Sequence, residues 1–109
     1  MSEYTSASDL KFIRDIVEAV PEQSKKWIEF DHAVIDAETS IPKKYKELIA
    51  IAIALTAQCP YCLDKHIASA KKLNATKEEI AETIMIAAAV RSGAALGYGL
   101  LSMKLFEKE

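Results

Sequence analysis

The sequence predicts an all-α domain, and three features of the residue pattern support this fold class. Apolar residues recur three or four positions apart along most of the chain, which is the spacing of one helix face. Alanine, the best helix former, fills the most apolar stretch. The three prolines stand where helices are expected to begin. We therefore expect a compact bundle of about six helices, with a C-x-x-C pair opening a central helix.

Length and charge set limits on the domain organisation and on the partners. The 109 residues fit a single domain over residues 1–109, and the net charge is −2. No basic cluster is present, so we expect no nucleic-acid partner. The longest uncharged run, Leu48 to Leu63, is too short to cross a bilayer, so we expect no membrane partner. Because the N-terminus is polar and acidic and shows no secretory signal, we expect a cytoplasmic protein.

The first forty residues predict a polar lead and two amphipathic helices. Ser8 or Asp9 can cap a first helix, and Pro21 ends this helix or opens the next one. The apolar positions of the first helix are Leu10, Ile13, Val17 and Val20. The second helix is expected over about residues 22–37, and its apolar face consists of Trp27, Phe30, Val34 and Ile35. His32 lies on the same helix, where we expect it to be solvated.

The stretch over residues 42–57 has features of both a strand and a helix. Isoleucine or leucine alternates with alanine from Ile49 to Leu55, which mimics a buried strand. A helix is favoured because alanine is depleted in strands and because the stretch is too long for an ordinary strand. A helix that is apolar on all sides also suits the centre of a helical fold. We therefore predict a third helix that begins at Pro42.

The remaining residues predict three more helices. A fourth helix is expected over about residues 60–73, and Asn74 suits the left-handed position that follows a helix. Thr76 and Glu79 form a T-x-x-E capping box that starts a fifth helix. Residues 92–93, a serine and a glycine, predict a break or a bend before a last helix rich in small residues. Those small residues indicate either tight internal packing or a subunit interface, and the sequence leaves both open.

The most informative stretch joins the third and fourth helices and carries both cysteines of the chain. Pro60 at the first helical position makes Cys59 the N-cap, where the helix dipole stabilises a thiolate. His66 follows Cys62 by four residues and leans back over it on the same helix face. The dipole favours Cys59 as the reactive thiolate and the histidine favours Cys62, so the residues leave this choice open. A thiol, a second thiol and a base are the parts of a dithiol–disulfide site.

Glu47 is a candidate partner of the histidine. On a straight helix it lies about 18 Å from Cys59, since each residue rises ~1.5 Å. If the third and fourth helices fold back antiparallel around Gln58, Glu47 lies beside residues 66–70. Its carboxylate then reaches His66 directly or through one water and orients the ring, as a third group does for a catalytic base. The alternative is a surface carboxylate near a helix N-terminus.

The order Glu47, eleven residues, Cys59-Pro-Tyr-Cys62, three residues, His66 resembles the alkylhydroperoxidase D branch of the carboxymuconolactone decarboxylase family. The similar region covers about residues 41–93 and includes the lead-in Pro-Lys-Lys at 42–44 and Glu-Leu-Ile-Ala from Glu47 onward. The resemblance implies an all-helical homo-oligomer, a trimer or a hexamer. It also implies a peroxidase of peroxiredoxin-type activity or a disulfide reductase, which uses a dithiol electron donor and no cofactor.

The resemblance also implies roles for four residues. Cys62 attacks the peroxide and becomes a sulfenic acid, and Cys59 resolves it by closing a disulfide. Glu47 and His66 form the proton relay. The fuller peroxidase pattern has a histidine before the second cysteine, where this chain has Tyr61, so peroxide reduction and disulfide reduction both stay open.

Other interpretations compete with a redox-active pair. Cys59, Cys62 and His66 are zinc ligands by type, and Glu47 or His32 would have to be the fourth. The lactone decarboxylases of the same family do not need the pair, and a non-catalytic oligomeric binding module is a further alternative. Cys-Pro-Tyr-Cys is also a glutaredoxin motif. We reject that fold because it needs further strands and a later cis-proline, and no proline follows the motif here.

Overall fold

The computed structural model describes residues 7–108, and all regular structure in that range is helical. A 3₁₀ helix at Ala7–Phe12 leads into five α-helices. These are α1 (Ile13–Ala19), α2 (Pro21–Ile35), α3 (Lys43–Ala57), α4 (Pro60–Lys72) and α5 (Lys77–Phe106). The predicted all-α class is therefore confirmed, and the predicted strand-like stretch is the helix α3. Most of the predicted polar lead, residues 1–6, lies outside the described residues.

Helix α3 is the centre of the fold, because it packs on both α4 and α5. The buried apolar side chains come from these three helices and are Ile51, Ala54, Ala70 and Ala87. Three of the four are alanines, so the helix axes can approach closely at these points. Among the residues that the structure describes, Ile51 is the only large side chain that is fully buried, at 1% exposure. The core that positions the site is therefore small.

The reversal between α3 and α4 occurs at Gln58, which adopts the left-handed conformation with φ of 55°. The backbone N–H of Cys59 donates to the carbonyl of Ala54, which satisfies one of the last acceptors of α3. Pro60 then stands in the first turn of α4. The predicted antiparallel return around Gln58 is confirmed.

The connection from α4 to α5 also follows the local sequence signals. Asn74 adopts the left-handed conformation with φ of 66°. Thr76 and Glu79 form both hydrogen bonds of the capping box. The Lys44 ammonium lies 2.8 Å from Glu79 Oε1 and ties the start of α3 to the start of α5. This ammonium, and secondarily the Thr76 backbone N–H, hold the pKa of Glu79 below its ordinary value.

The N-terminal elements differ in detail from the expectation. The predicted first helix from Ser8 or Asp9 is a 3₁₀ helix up to Phe12 and becomes α-helical only afterwards. Helix α2 ends at Ile35, two residues before its predicted end. His32 is exposed, as expected, and its Nδ1 lies 2.9 Å from Asp36 Oδ2 in the last turn.

The sequence predicted a break or a bend at Ser92 and Gly93, and the break is wrong, because α5 continues for 30 residues. One glycine costs a helix only about 1 kcal/mol relative to alanine, and the alanines around it compensate. The Ser92 hydroxyl donates to the Ala89 carbonyl, so its polar group is satisfied within the helix. The chain therefore has five α-helices and a 3₁₀ helix over the described residues, where about six helices were predicted.

The C-terminal half of α5 extends away from the other helices. From Ser92 to Phe106 every residue except Gly99 is exposed. The radius of gyration is 18.0 Å, well above the roughly 13 Å of a compact domain of this length. By length and composition alone, α5 is the one helix of residues 7–108 that could cross a membrane. The sequence expectation of no membrane partner was drawn from residues 48–63 and does not address this helix.

Candidate active site

The two cysteines lie at the start of α4 and form a disulfide. Their sulfur atoms are 2.17 Å apart and their Cα atoms 5.3 Å apart. Cys59 is the N-cap, and its Sγ accepts a hydrogen bond from the Cys62 backbone N–H at 3.2 Å. Pro60 supplies the fixed φ of the first turn, so the sequence itself sets the spacing of the pair. Both sulfurs therefore lie at the positive end of the α4 dipole.

Glu47 and His66 form a direct contact between α3 and α4. Nδ1 of His66 lies 2.6 Å from Glu47 Oε2. Their side chains are 6% and 12% exposed, respectively, so the contact is largely shielded from water. An ionised carboxylate only accepts hydrogen bonds, so the ring donates from Nδ1 and its Nε2 is the nitrogen available for proton exchange. Of the two placements of Glu47 that the sequence left open, the structure has the one beside His66, and the contact is direct rather than through a water.

The disulfide and the histidine open onto one cavity of about 520 Å³. This volume lies in the range of small-molecule sites. The cavity is bounded by the C-terminal end of α2, the α2–α3 connection, α3 and the start of α4. Its lining residues are Ala33, Val34, Ile35, Thr39, Ile41, Lys46, Ile49, Ala50, Ile53, Ala54, Ala57, Cys59, Cys62 and His66. We call Cys59, Cys62 and His66 the reactive end of this cavity. The other lining side chains are aliphatic, except for Thr39 and Lys46.

Lys46 is the lining residue whose importance the sequence analysis missed. Its ammonium donates to the carbonyls of Val34 at 2.8 Å and Ala37 at 2.9 Å. Val34 lies in the last turn of α2, where carbonyls have no partner within the helix, and Ala37 lies in the connection that follows α2. Every residue has a main-chain carbonyl, so the sequence does not indicate which carbonyls accept from Lys46.

The remaining candidate residues lie elsewhere. His32 pairs with Asp36 and does not line the cavity, so the structure does not bring this proposed zinc ligand to the cysteines. Within residues 7–108, no three His, Cys, Asp or Glu side chains are grouped so that they could hold a metal ion. The Tyr61 hydroxyl donates to Asp9 Oδ2 at 2.9 Å and so joins α4 to the 3₁₀ helix.

Comparisons with known proteins agree with this architecture. The chain is 36% identical over 75 residues to a protein of Paracoccus denitrificans named uncharacterized protein 4 in cox locus, and this region covers 69% of the chain and 68% of that protein. It is 32% identical over 68 residues to an uncharacterized protein of Cupriavidus necator, covering 62% of the chain and 60% of that protein.

Two solved structures are similar as well. A crystal structure of a protein from Methanobacterium thermoautotrophicum matches with a TM-score of 0.73 and 28% identity, over 79% of this chain and 96% of that one. The apo structure of a carboxymuconolactone decarboxylase family protein from Legionella pneumophila matches with a TM-score of 0.72 and 31% identity, over 93% and 90%. The family model described as carboxymuconolactone decarboxylase family matches residues 21–104. The chain therefore belongs to the carboxymuconolactone decarboxylase family.

Proposed function

We propose that this protein is a thiol-dependent oxidoreductase that reduces a peroxide or a disulfide through a dithiol–disulfide cycle of Cys59 and Cys62. One observation supports this function most strongly. The disulfide and the His66 ring, held by buried Glu47, open onto the same cavity. The lactone-decarboxylase chemistry of the family gives this pair no role, so the pair favours the redox branch.

The cycle begins with the reduced protein. His66 takes the proton of the Cys62 thiol, and Glu47 stabilises the orientation of the ring that receives it. With a peroxide ROOH, the Cys62 thiolate attacks the terminal oxygen, the O–O bond breaks, and the alkoxide takes up the proton held by His66 to leave as ROH. Cys62 is then a sulfenic acid. The Cys59 thiolate attacks its sulfur, the S–O bond breaks, and water leaves after protonation.

With a disulfide substrate, the first step gives a mixed disulfide instead. Cys62 attacks one sulfur and the first half leaves as a thiol. Cys59 then attacks Cys62 Sγ, the second half leaves as a thiol, and the Cys59–Cys62 disulfide closes. In both cases the substrate gains two electrons, and an external dithiol returns them while becoming a disulfide itself. Such a donor fits the cytoplasmic location that we propose.

The helix N-terminus supports the second step in particular. Cys59 Sγ accepts the Cys62 N–H, and the dipole of α4 stabilises negative charge at this sulfur. Once Cys59 has lost its proton, its place at the N-cap beside Cys62 suits it to resolve the intermediate. The 5.3 Å between the Cα atoms of the closed pair lies within the ordinary range for a disulfide.

We also propose that the protein is a homo-oligomer, a trimer or a hexamer. Large apolar side chains of α5 are more than two-thirds exposed, among them Leu96, Tyr98, Leu100 and Phe106. Trp27 and Phe30 of α2 are exposed to 62% and 66%. Exposed large apolar side chains in this number mark interaction sites, and a second copy of the chain is the simplest partner. Light scattering of the purified protein tests this: a monomer would contradict it.

The proposed function is tested first by an equilibrium redox titration. The protein is held in buffers of defined thiol–disulfide ratio, free thiols are alkylated, and intact mass counts them. We expect one two-electron transition between dithiol and disulfide. Absence of a transition, or thiols that react only after a chelator is added, would contradict the proposal.

A turnover assay then tests the roles of the two thiols. In an assay coupled to a dithiol donor, Cys62→Ser and Cys59→Ser should each lose turnover. Wild-type rates in both variants would refute the cycle.

A further inference from the structure

The cavity beside the disulfide contains a positive charge that no acidic side chain balances. Two basic side chains line the cavity, Lys46 and His66, and none of its described lining residues is an aspartate or a glutamate. The Glu47 carboxylate lies 2.6 Å from Nδ1 of His66, so a proton taken up by this ring has a balancing charge beside it. Lys46 donates to the carbonyls of Val34 and Ala37, which are both neutral. The unbalanced charge of the cavity is therefore the Lys46 ammonium.

This ammonium lies at the edge of the cavity with part of its bonding capacity unused. Val34 and Thr39 line the cavity, and the two accepting carbonyls belong to Val34 and to Ala37, which precedes Thr39 by two residues. An ammonium has three N–H groups, and these two bonds occupy two of them. Lys46 is half-buried, and it forms no ion pair with any acidic side chain of residues 7–108. One N–H group therefore remains for a ligand.

The surroundings of Lys46 favour an anion as that ligand. The dipole of α2 contributes only about half an elementary negative charge at its C-terminal end, so it offsets part of the ammonium charge. Apart from Thr39 and the reactive end, the other lining side chains are aliphatic. Walls of low dielectric constant concentrate the field of a single charge within a cleft. An anion that enters the cavity thus meets a cation and no carboxylate of the lining.

The position of Lys46 on α3 determines where such an anion lies relative to the reacting sulfur. Lys46 directly precedes Glu47, which contacts His66 on the antiparallel helix α4. Cys62 lies four residues before His66, which places it about 6 Å farther along the helix axis, away from the start of α3. The ammonium and Cys62 are thus at different levels of the cavity. A bound anion lies several carbon atoms from the bond that Cys62 attacks, and this separation also keeps it away from the Cys62 thiolate.

We propose that Lys46 is a binding residue for an anionic group of the reactant, and that the cavity takes peroxides or disulfides that carry a carboxylate several carbon atoms from the reacting bond. The inference rests on the proposed function for the identity of the reaction. Binding of the anion changes how fast a charged reagent reacts with the cysteines, so it can be measured without turnover.

The test uses three methanethiosulfonates on the reduced, full-length protein. They transfer a carboxypentyl, a carbamoylpentyl or a trimethylammoniopentyl group to a thiolate, which attacks the sulfur that carries this group and expels methanesulfinate. The acid and the amide have nearly the same shape and differ in charge. Samples are quenched with an alkylating reagent, intact mass counts the thiols that remained free, and each rate is divided by the rate with a small thiol in solution.

The wild type should show an order of rates that follows the charge of the reagent. We expect the acid to react about tenfold faster than the amide, which is the scale of one charge-assisted hydrogen bond. The trimethylammonium reagent should react more slowly than the amide, because the ammonium of Lys46 repels it.

The Lys46→Met variant tests the role of the ammonium. It keeps a long, helix-favouring side chain and removes the charge, so the acid-to-amide ratio should fall to about one. The acid and the amide carry the same chain, so a change in the packing of α2 on α3 affects both rates and cancels in the ratio. Lys46→Arg keeps a positive charge and should keep the ratio above about threefold. If Lys46→Met does not fold, Lys46→Gln provides the same comparison.

Lys43→Met is the matched control on the same helix. Lys43 lies 3.7 Å from Glu38, whose side chain is 84% exposed, and it does not line the cavity. This variant loses the same charge at the surface, where salt screens it, so the acid-to-amide ratio should stay within about twofold of wild type.

Two outcomes would overturn the inference. Equal normalised rates for the acid and the amide in the wild type would show that the cavity does not bind the anion. An acid-to-amide ratio that is unchanged in a folded Lys46→Met or Lys46→Gln protein would remove the role of Lys46. Neither outcome depends on the redox cycle, and a missing two-electron transition would refute the proposed function while leaving the anion binding intact.

Discussion

The buried Glu47–His66 contact gives the most direct energetic test of the site. Replacing His66 by Phe keeps a ring of similar size but leaves the Glu47 carboxylate without its partner. Breaking a buried pair from one side typically costs about 3–5 kcal/mol. Because the two side chains are 6% and 12% exposed, we take the lower end, about 3 kcal/mol in the free energy of unfolding.

Replacing both Glu47 and His66 should lower the free energy of unfolding far less than replacing His66 alone. Glu47→Leu alone leaves one imidazole N–H unpaired in a largely buried place, which costs about 1–3 kcal/mol. The double variant, Glu47→Leu with His66→Phe, contains no unpaired polar group at this contact. An apolar replacement of a buried pair is often neutral, so its stability should lie within about 1 kcal/mol of wild type. The coupling energy of the cycle is the sum of the two single losses minus the loss of the double variant, which is about 3–7 kcal/mol.

Urea unfolding followed by circular dichroism measures all four proteins. Protein concentration must be fixed across the series, since any assembly makes apparent stability depend on it. The chain offers a matched control in the exposed His32–Asp36 pair, whose side chains are 74% and 54% exposed. His32→Phe should change stability by no more than about 0.5 kcal/mol. A coupling energy below about 0.5 kcal/mol for Glu47 and His66 would refute the reasoning.

Three further perturbations test the fold and its electrostatics. Ile51 is 1% exposed, so Ile51→Ala should lower the free energy of unfolding by about 2–5 kcal/mol through cavity formation. Ile49 is 48% exposed, so Ile49→Ala should lower the free energy of unfolding much less. Equal losses in urea unfolding would contradict the described core. Gly93→Ala should raise the free energy of unfolding by about 0.5–1 kcal/mol, because alanine favours a helix more than glycine does and nothing lies within 4 Å of an added Cβ. A lower melting temperature would contradict the unbroken α5. The stabilisation due to the lowered pKa of Glu79 is complete above the ordinary pKa of a glutamate and is lost as pH falls through the lowered value. Glu79→Gln should therefore flatten the acid side of the stability–pH profile. A profile parallel to that of the wild type would count against the Lys44 contact.

Local features of the fold were predictable from short stretches of sequence. The capping box at Thr76 and Glu79, the left-handed Asn74 and the N-cap Cys59 each depend on a few neighbouring residues. Their physics is local: a side chain satisfies a backbone group three residues away, or a residue tolerates a positive φ. The signal at Gly93 did not break α5, because its cost of about 1 kcal/mol is smaller than what the surrounding helix supplies. The capping signal at Ser8 and Asp9 marked a 3₁₀ helix rather than the start of an α-helix.

The sequence by itself determined the all-α class, the turn at Gln58 and the spacing that carries Glu47, the two cysteines and His66 toward one another. Only the tertiary structure decided that the carboxylate meets the ring directly, because that distance depends on how closely α3 and α4 pack. It also decided that a cavity with aliphatic walls lies beside the disulfide, closed on one side by α2. The ammonium of Lys46 also donates to two main-chain carbonyls that lie 9 and 12 residues away along the chain. Every residue has such carbonyls, so the side-chain pattern contains nothing that selects them; only the packing of α2 on α3 brings these two within reach.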